Sequence, residues 1–372
     1  MAFNTKFNRR DFLKLTAAGI GGLFLPEPKF HLVQTEDTPR LQGRVTVSKI
    51  SVYNSPTLQG TKIGTFYYDN LLPISEEVIG GEEGDYNRLW FRIGESGYVY
   101  SGNVQLVENI ANPIIYDIPA SGMIGEISVP YAESWWGIHR SNRAIAYRLY
   151  YQTTHWIKDV FRDPVDGSPW YRAYHNQNDS QYFYYIRPQY VHLIPAEELS
   201  LLSADVPAEE KRIHVLLDEQ LMLAFEGDRI VHQALTATGR QGNETPTGDF
   251  SIFHKRPSSR MAGGDGITSA YDLFGVPWNS YITEEGIALH GTFWHSDFGK
   301  PRSFGCINLP VEDARWVYRW TLPIVPPDKD FIFEPGTGTQ VIVAQNQAML
   351  PARSPGSGYQ SSHTGYFSRE EN

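Results

Sequence analysis

Ile287-Ala288-Leu289-His290-Gly291-Thr292 and, past the loop 293–302, Ser303-Phe304-Gly305-Cys306-Ile307-Asn308-Leu309 are the two stretches on which the reading of this chain turns. The first is an apolar strand ending in His-Gly. The second sets the chain's single cysteine directly behind a glycine. A thiol ionises with a pKa of about 8.5 and is a weak nucleophile until it loses its proton. A nearby imidazole can take that proton and later return it to a leaving amine. A glycine just before the nucleophile lets the backbone turn sharply and present N–H groups to a developing oxyanion. A histidine at a strand end and a cysteine on the following loop meet across a cleft, and those parts suit acyl transfer.

His-Gly-Thr followed by Ser-x-Gly-Cys-x-Asn resembles the signature of the L,D-transpeptidase (YkuD-type) catalytic domain. Thr238-Gly239 and Glu244-Thr245-Pro246-Thr247-Gly248-Asp249-Phe250 resemble the Thr-Pro-x-Gly-x-Phe element of the same family. The likeness covers residues 211–345 and implies a β-sandwich. It implies Cys306 as nucleophile, His290 as general base and the backbone N–H groups of Gly305 and Cys306 as oxyanion donors. Ser303 would order the loop or touch substrate, and Asn308 would hold the turn behind the nucleophile. Gly291, Thr292, His295, Asn308 and Tyr281 are the expected substrate-binding positions. Where many members carry a second histidine before Gly-Cys, this chain has Phe304.

Other histidines need separate weighing. His295 reads equally as a donor-binding or cleft-capping residue and as a hydrogen-bonded loop histidine. A zinc site from His290, His295 and Cys306 does not match the common short spacings, so no metal or cofactor is expected. His214 and His232 fall in predicted strands and read as structural. Trp278 and Tyr281 read either as cleft lining or as core.

Working outward, Ile213–Leu217, Leu221–Phe225 and Ile230–Thr238 alternate between turns as a three-strand meander. Pro310 precedes a helical pattern over Val311–Trp320. Short strands and turn clusters over 43–108 resemble bacterial SH3-like modules. Residues 121–196 look like a diverged second copy: Trp90-Phe91-Arg92-Ile93 is echoed by Trp170-Tyr171-Arg172-Ala173, and Asn103–Val107 by Gln189–Ile194. Tyrosines around Tyr182–Tyr185 read as strand and core residues or as a glycan-stacking face. Residues 197–210 read as a linker and 352–372 as a disordered tail. The expected fold is therefore mainly β: a YkuD-like sandwich preceded by two small SH3-like barrels.

At the N-terminus, Arg9-Arg10 with Phe12, Leu13 and Lys14 resembles a twin-arginine export signal within 1–28. The apolar run Leu15–Leu25 is shorter than the roughly 20 residues of a membrane span. Membrane contact is expected only through that signal if it is retained, and the protein is expected in the cell envelope.

A net charge of -10 without an internal basic cluster argues against nucleic acid. One cysteine excludes an internal disulfide framework. The expected partners are peptidoglycan stem peptides and the cell wall, with a tetrapeptide stem as acyl donor and a stem amine as acceptor. Water in place of the amine would give a carboxypeptidase, and a dead catalytic unit would leave a wall-binding protein. Two further expectations are that Cys306 reacts with thiol reagents well below the free-thiol pKa, and that removing 43–196 spares the chemistry on soluble fragments.

Overall fold

Alternation of apolar and polar side chains, broken by frequent turns, makes this a mainly β protein. The computed structural model describes residues 41–95, 97–138, 144–177, 180–263 and 271–346. The expected export signal and C-terminal tail lie outside the described residues.

The first seven strands are β1 (Leu41–Val45), β2 (Lys49–Tyr53), β3 (Lys62–Tyr67), β4 (Leu71–Ile79), β5 (Leu89–Ile93), β6 (Gly97–Tyr100) and β7 (Val104–Glu108). The next seven are β8 (Met123–Ile127), β9 (Tyr131–Trp135), β10 (Ile145–Tyr150), β11 (Thr154–Arg162), β12 (Pro169–Gln177), β13 (Ser180–Ile186) and β14 (Val191–Leu193). The first sheet runs β3-β2-β6-β5-β4-β1-β7 and the second β10-β9-β13-β12-β11-β8-β14, which is the same order strand for strand. The echoed sequences fall on matching strands. Trp90 on β5 and Trp170 on β12 are both buried, and a 3-10 turn precedes both β7 and β14.

The C-terminal unit has two five-stranded sheets. One contains β15 (Lys211–Leu216), β16 (Leu221–Glu226), β17 (Arg229–Leu235), β18 (Gly248–Ser251) and β24 (Gln340–Ala344), in the order β17-β16-β15-β24-β18. The other contains β19 (His254–Gly263), β20 (Tyr271–Tyr281), β21 (Ala288–Gly291), β22 (Ile307–Leu309) and β23 (Ile332–Phe333), in the order β22-β21-β20-β19-β23. Helix α1 (Val311–Trp320) packs against β20, β21 and β22. It buries Val311, Ala314, Val317, Tyr318 and Trp320, the stripe that a period of 3.6 puts on one face. Glu312 and Asp313 in its first turn and Arg319 in its last suit the helix dipole. Its C-terminal carbonyls are met by two buried lysines. Lys255 Nζ donates to Tyr318 and Thr321, and Lys211 Nζ to Trp320 and Leu202.

One apolar core joins both sheets and α1, and it also takes in Ile124, Trp156 and Ile194 of the second module. In return, Phe274 of β20 stacks on Tyr147 of that module with ring centroids 3.8 Å apart. The second module is thus built onto the C-terminal unit. The stretch 197–210 is packed as well: Leu199 and Leu202 lie against this core, and Arg315 of α1 donates to Glu198 at 2.6 Å.

Candidate active site

Leu289 and Ile307 face each other across the parallel pair β21–β22, as do His290 and Asn308, and Gly291 and Leu309. Leu289, Ile307 and Leu309 point into the core. Alternation therefore sends His290, Asn308 and Cys306, which immediately precedes β22, to the opposite face. Cys306 stands two residues before Asn308, the partner of His290 in this register. Gly291 lets α1 close over this strand. A Cβ there would lie 2.8 Å from Pro277 Cγ and 3.2 Å from Val311 Cα.

His290 is buried, and its Nδ1 lies 3.0 Å from the Gly291 carbonyl oxygen. That oxygen can only accept, so Nδ1 carries the proton and Nε2 keeps its lone pair for a substrate-side proton. Burial lowers the imidazole pKa to about 4, against a smaller upward push from the Gly291 carbonyl, so the ring is neutral at ordinary pH.

Cys306 is partly exposed. Burial of its surroundings raises the thiol pKa, and a backbone hydrogen bond with Ala288 lowers it by less. The thiol lies 3.7 Å from the Gly286 carbonyl oxygen, a contact in which it donates its proton. The resting pair is thus thiol and neutral imidazole. Desolvation outweighs the hydrogen bond that would favour the thiolate.

Gly305 adopts φ of 115°, a region that L side chains avoid. Ser303 Oγ accepts the Gly305 N–H at 3.0 Å and donates to the Cys306 carbonyl at 2.6 Å. The Gly305 N–H, expected as an oxyanion donor, here donates to Ser303 Oγ. Thr245 ties the turn down from the other side, accepting from Gly239 N–H at 2.8 Å and donating to the Gly305 carbonyl at 2.7 Å.

Of the expected substrate-binding positions, Gly291, Thr292, His295 and Asn308 are buried. The Thr292 hydroxyl has no hydrogen-bond partner among the described residues. His295 Nδ1 accepts the Asp297 N–H at 3.2 Å, and the Asn308 amide lies 3.0 Å from its Nε2. With Nδ1 accepting, a neutral ring carries its proton on Nε2, so the amide oxygen is the end that satisfies it. His295 is neutral, its pKa lowered by burial to about 3. His295 and Asn308 therefore order the loop from beneath.

Tyr281 stands at the cleft. It stacks on His254 with ring centroids 4.8 Å apart, and its hydroxyl is 3.1 Å from Ser259 Oγ. The cleft, of about 340 Å³, is lined by Phe253, His254, Tyr281, Glu284, Gly286 and Phe333, and Gly286 is the residue whose carbonyl meets the Cys306 thiol. On the other flank, exposed Phe304 lies against Tyr271 and carries the Arg240 guanidinium 4.2 Å from its ring centroid. Trp278 belongs to the core. His232 pairs with Asp313 at 2.8 Å, and His214 packs on Phe225. Among the described residues no group of three or more His, Cys, Asp or Glu side chains is placed to hold a metal ion.

Thr245, within the Thr-Pro element, and Asp297, within the loop 293–302, carry no assigned role in the sequence. Thr245 bridges the nucleophile turn. Asp297 is a buried carboxylate taking Tyr86 and Tyr100 hydroxyls from the first module, with Lys300 and Arg302 on its other oxygen. The basic residues three and five positions beyond Asp297 were the available signal.

Residues 210–343 match the YkuD family model, described as the L,D-transpeptidase catalytic domain. This segment is thus similar to the catalytic domains of L,D-transpeptidases. A Bacillus licheniformis protein named as an L,D-transpeptidase, YkuD, is 32% identical over 103 residues, covering 28% of this chain and 55% of that protein. The chain thus spans about half the length of this curated relative. Among solved structures, an Enterococcus faecium L,D-transpeptidase is 21% identical, with 36% of this chain and 50% of that chain covered and a TM-score of 0.30. An L,D-transpeptidase from Mycobacterium smegmatis is 17% identical, with 46% and 77% covered and a TM-score of 0.31.

Proposed function

We propose that this chain is an exported peptidoglycan L,D-transpeptidase that forms 3-3 cross-links through a thioester on Cys306. The observation that supports the reading is the β21–β22 register, which pairs His290 with Asn308, two residues past Cys306, with the Cys306 thiol against the carbonyl of Gly286 in the cleft wall. The family match over 210–343 supports the reaction class.

As the Cys306 sulfur attacks the donor carbonyl, its proton passes to His290 Nε2. The S–C bond forms, the C–N bond to the terminal D-residue breaks, and the imidazolium returns the proton to the leaving amine. An acceptor side-chain amine then attacks the thioester, gives its proton to His290 and releases the thiol. The Cys306 N–H stabilises both tetrahedral oxyanions. Arg240 beside Phe304 suits the carboxylates of the donor stem, and Glu284 at the cleft rim suits an approaching ammonium group. Water attacking the same thioester would make the product a tripeptide.

The placement outside the cytoplasm rests on the wall substrate and on the Arg9-Arg10 stretch. The two seven-stranded units are read as SH3-like modules facing the wall, on the strength of their short strands and shared strand order. Among the described residues no helix is long and apolar enough to cross a membrane.

Purified disaccharide-tetrapeptide is the test substrate. A cross-linked dimer that has lost one terminal D-residue is expected. Tripeptide alone would reassign the chain as a carboxypeptidase, and no product from folded protein would overturn the reading.

A further inference from the structure

The loop from Thr292 to Gly305 joins the two reacting residues and contains no strand or helix. A segment of this kind keeps one shape only if contacts offset the entropy of ordering it. Its later part is tied to the C-terminal unit, with the Gly299 N–H donating to the Thr236 carbonyl and the Arg302 and Ser303 N–H groups to that of Thr238. Phe293, Ser296 and Asp297 instead take contacts from the first module. Arg44, itself buried, donates to the Phe293 carbonyl at 2.7 Å. The Gly102 carbonyl accepts the Ser296 N–H at 3.1 Å. Tyr86 and Tyr100 both donate to Asp297 Oδ1, at 2.6 and 2.8 Å. Lys300 and Arg302 meet Oδ2 at 2.8 and 2.7 Å. The carboxylate is 3% exposed, so its charge depends on these four donors, two of which the first module supplies. The same residue's N–H holds His295, His295 holds Asn308, and Asn308 faces His290 across β21–β22.

We propose that the first module is part of the catalytic apparatus, with Tyr86, Tyr100 and Arg44 as positioning residues that hold the His290–Cys306 loop through Asp297 and Phe293. The proposal rests on the assignment of Cys306 and His290 as the reacting pair. Arg44 also locks the arrangement to the second module. Its guanidinium lies 4.1 Å from the Tyr150 ring centroid, and that ring stacks on Phe293. Gly102 has no room for a side chain here, since a Cβ there would lie 2.5 Å from Asp297 Oδ1. A module that served only as a tether would have no need to satisfy a buried carboxylate in the loop between nucleophile and base.

The test is the full-length Tyr86→Phe/Tyr100→Phe variant, which removes two hydroxyls and no ring. Thermal melting, the pH profile of Cys306 alkylation by iodoacetamide, and kcat and KM on disaccharide-tetrapeptide are read together. Small misplacements of reacting groups cost up to about 100-fold, so a folded variant is expected to lose about tenfold or more in kcat with KM little changed. Its alkylation profile is expected to move down toward that of an ordinary thiol as the loop loosens and water reaches Cys306. An alkylation profile and kcat matching the parent in a folded variant would overturn the proposal. Alkylation needs no substrate, so a parent protein inactive on tetrapeptide would count against the proposed function while this readout still decides the positioning role. Should the double variant fail to fold, Tyr100→Phe alone is read by the same profile, with the same two outcomes.

Discussion

Thr245 Oγ1 bridges two backbone groups, accepting from Gly239 N–H and donating to the carbonyl of Gly305, the residue before the nucleophile. The hydroxyl is buried, so nothing else can serve those groups. Thr245→Val keeps the shape and leaves both unpaired, at about 1–3 kcal/mol for each buried group. A drop in melting temperature with kcat falling more than KM rises is expected, and Thr245→Ser should restore most of both. Full activity in the valine variant would remove Thr245 from the site.

Gly305 is held at φ of 115°, and a Cβ there would meet Ile287 Cδ1 at 3.3 Å. Gly305→Ala should destabilise the fold by more than about 1 kcal/mol, because the new residue cannot adopt the native conformation without strain. It should also turn the Cys306 N–H away from the cleft. Denaturant unfolding and the rate of acyl-enzyme formation are the measurements. A stable, active alanine variant would contradict the strained turn.

The protonation states give a pH signature. His290 must be neutral to accept a proton, and its pKa of about 4 puts the acid limb of kcat/KM near pH 4. The Cys306 pKa is raised, so proton transfer accompanies attack and the rate should stay flat through neutral pH. Alkylation, which needs the thiolate, should instead keep climbing past the ordinary thiol range. The linkage to stability has a definite sign. The unfolded chain binds more protons than the native one between pH 4 and the usual histidine pKa, so the His290 contribution rises with pH across that window. A bell-shaped profile with an acid limb near pH 6 would point to a preformed thiolate–imidazolium pair.

The β15–β17 meander and α1 were legible in the sequence, and His290 and Cys306 stood out in it, because each has a local signature. Alternation marks the strands, Pro310 and the 311–320 stripe mark the helix, and His-Gly and Gly-Cys mark the reacting ends. What was hidden depends on contacts between residues far apart in the chain. Nothing near Arg44 signals Phe293, and nothing near Tyr86 signals Asp297. The use of the Gly305 N–H by Ser303 was hidden as well, since it depends on how the turn closes. Desolvation of Cys306 is a property of the assembled site, and composition carries no trace of it.

The shared core changes what truncation should do. Ile124, Trp156 and Ile194 pack with Ile213, Trp278 and Leu289. Removing 43–196 exposes that surface, so the remaining chain should melt lower or aggregate, where the motifs alone suggested an independent catalytic unit. Thermal melts of the two proteins decide. An equal melting temperature would show that the C-terminal unit folds without its neighbours.

In the proposed reaction Cys306 carries the acyl group. Intact-mass measurement of the full-length protein and its Cys306→Ala variant, each mixed with disaccharide-tetrapeptide, tests it most directly. An adduct of the donor minus its terminal D-residue is expected on the parent protein, located at Cys306 by peptide mapping and missing from the variant. An adduct that persists in Cys306→Ala, or none on folded parent protein that still consumes the donor, would contradict it.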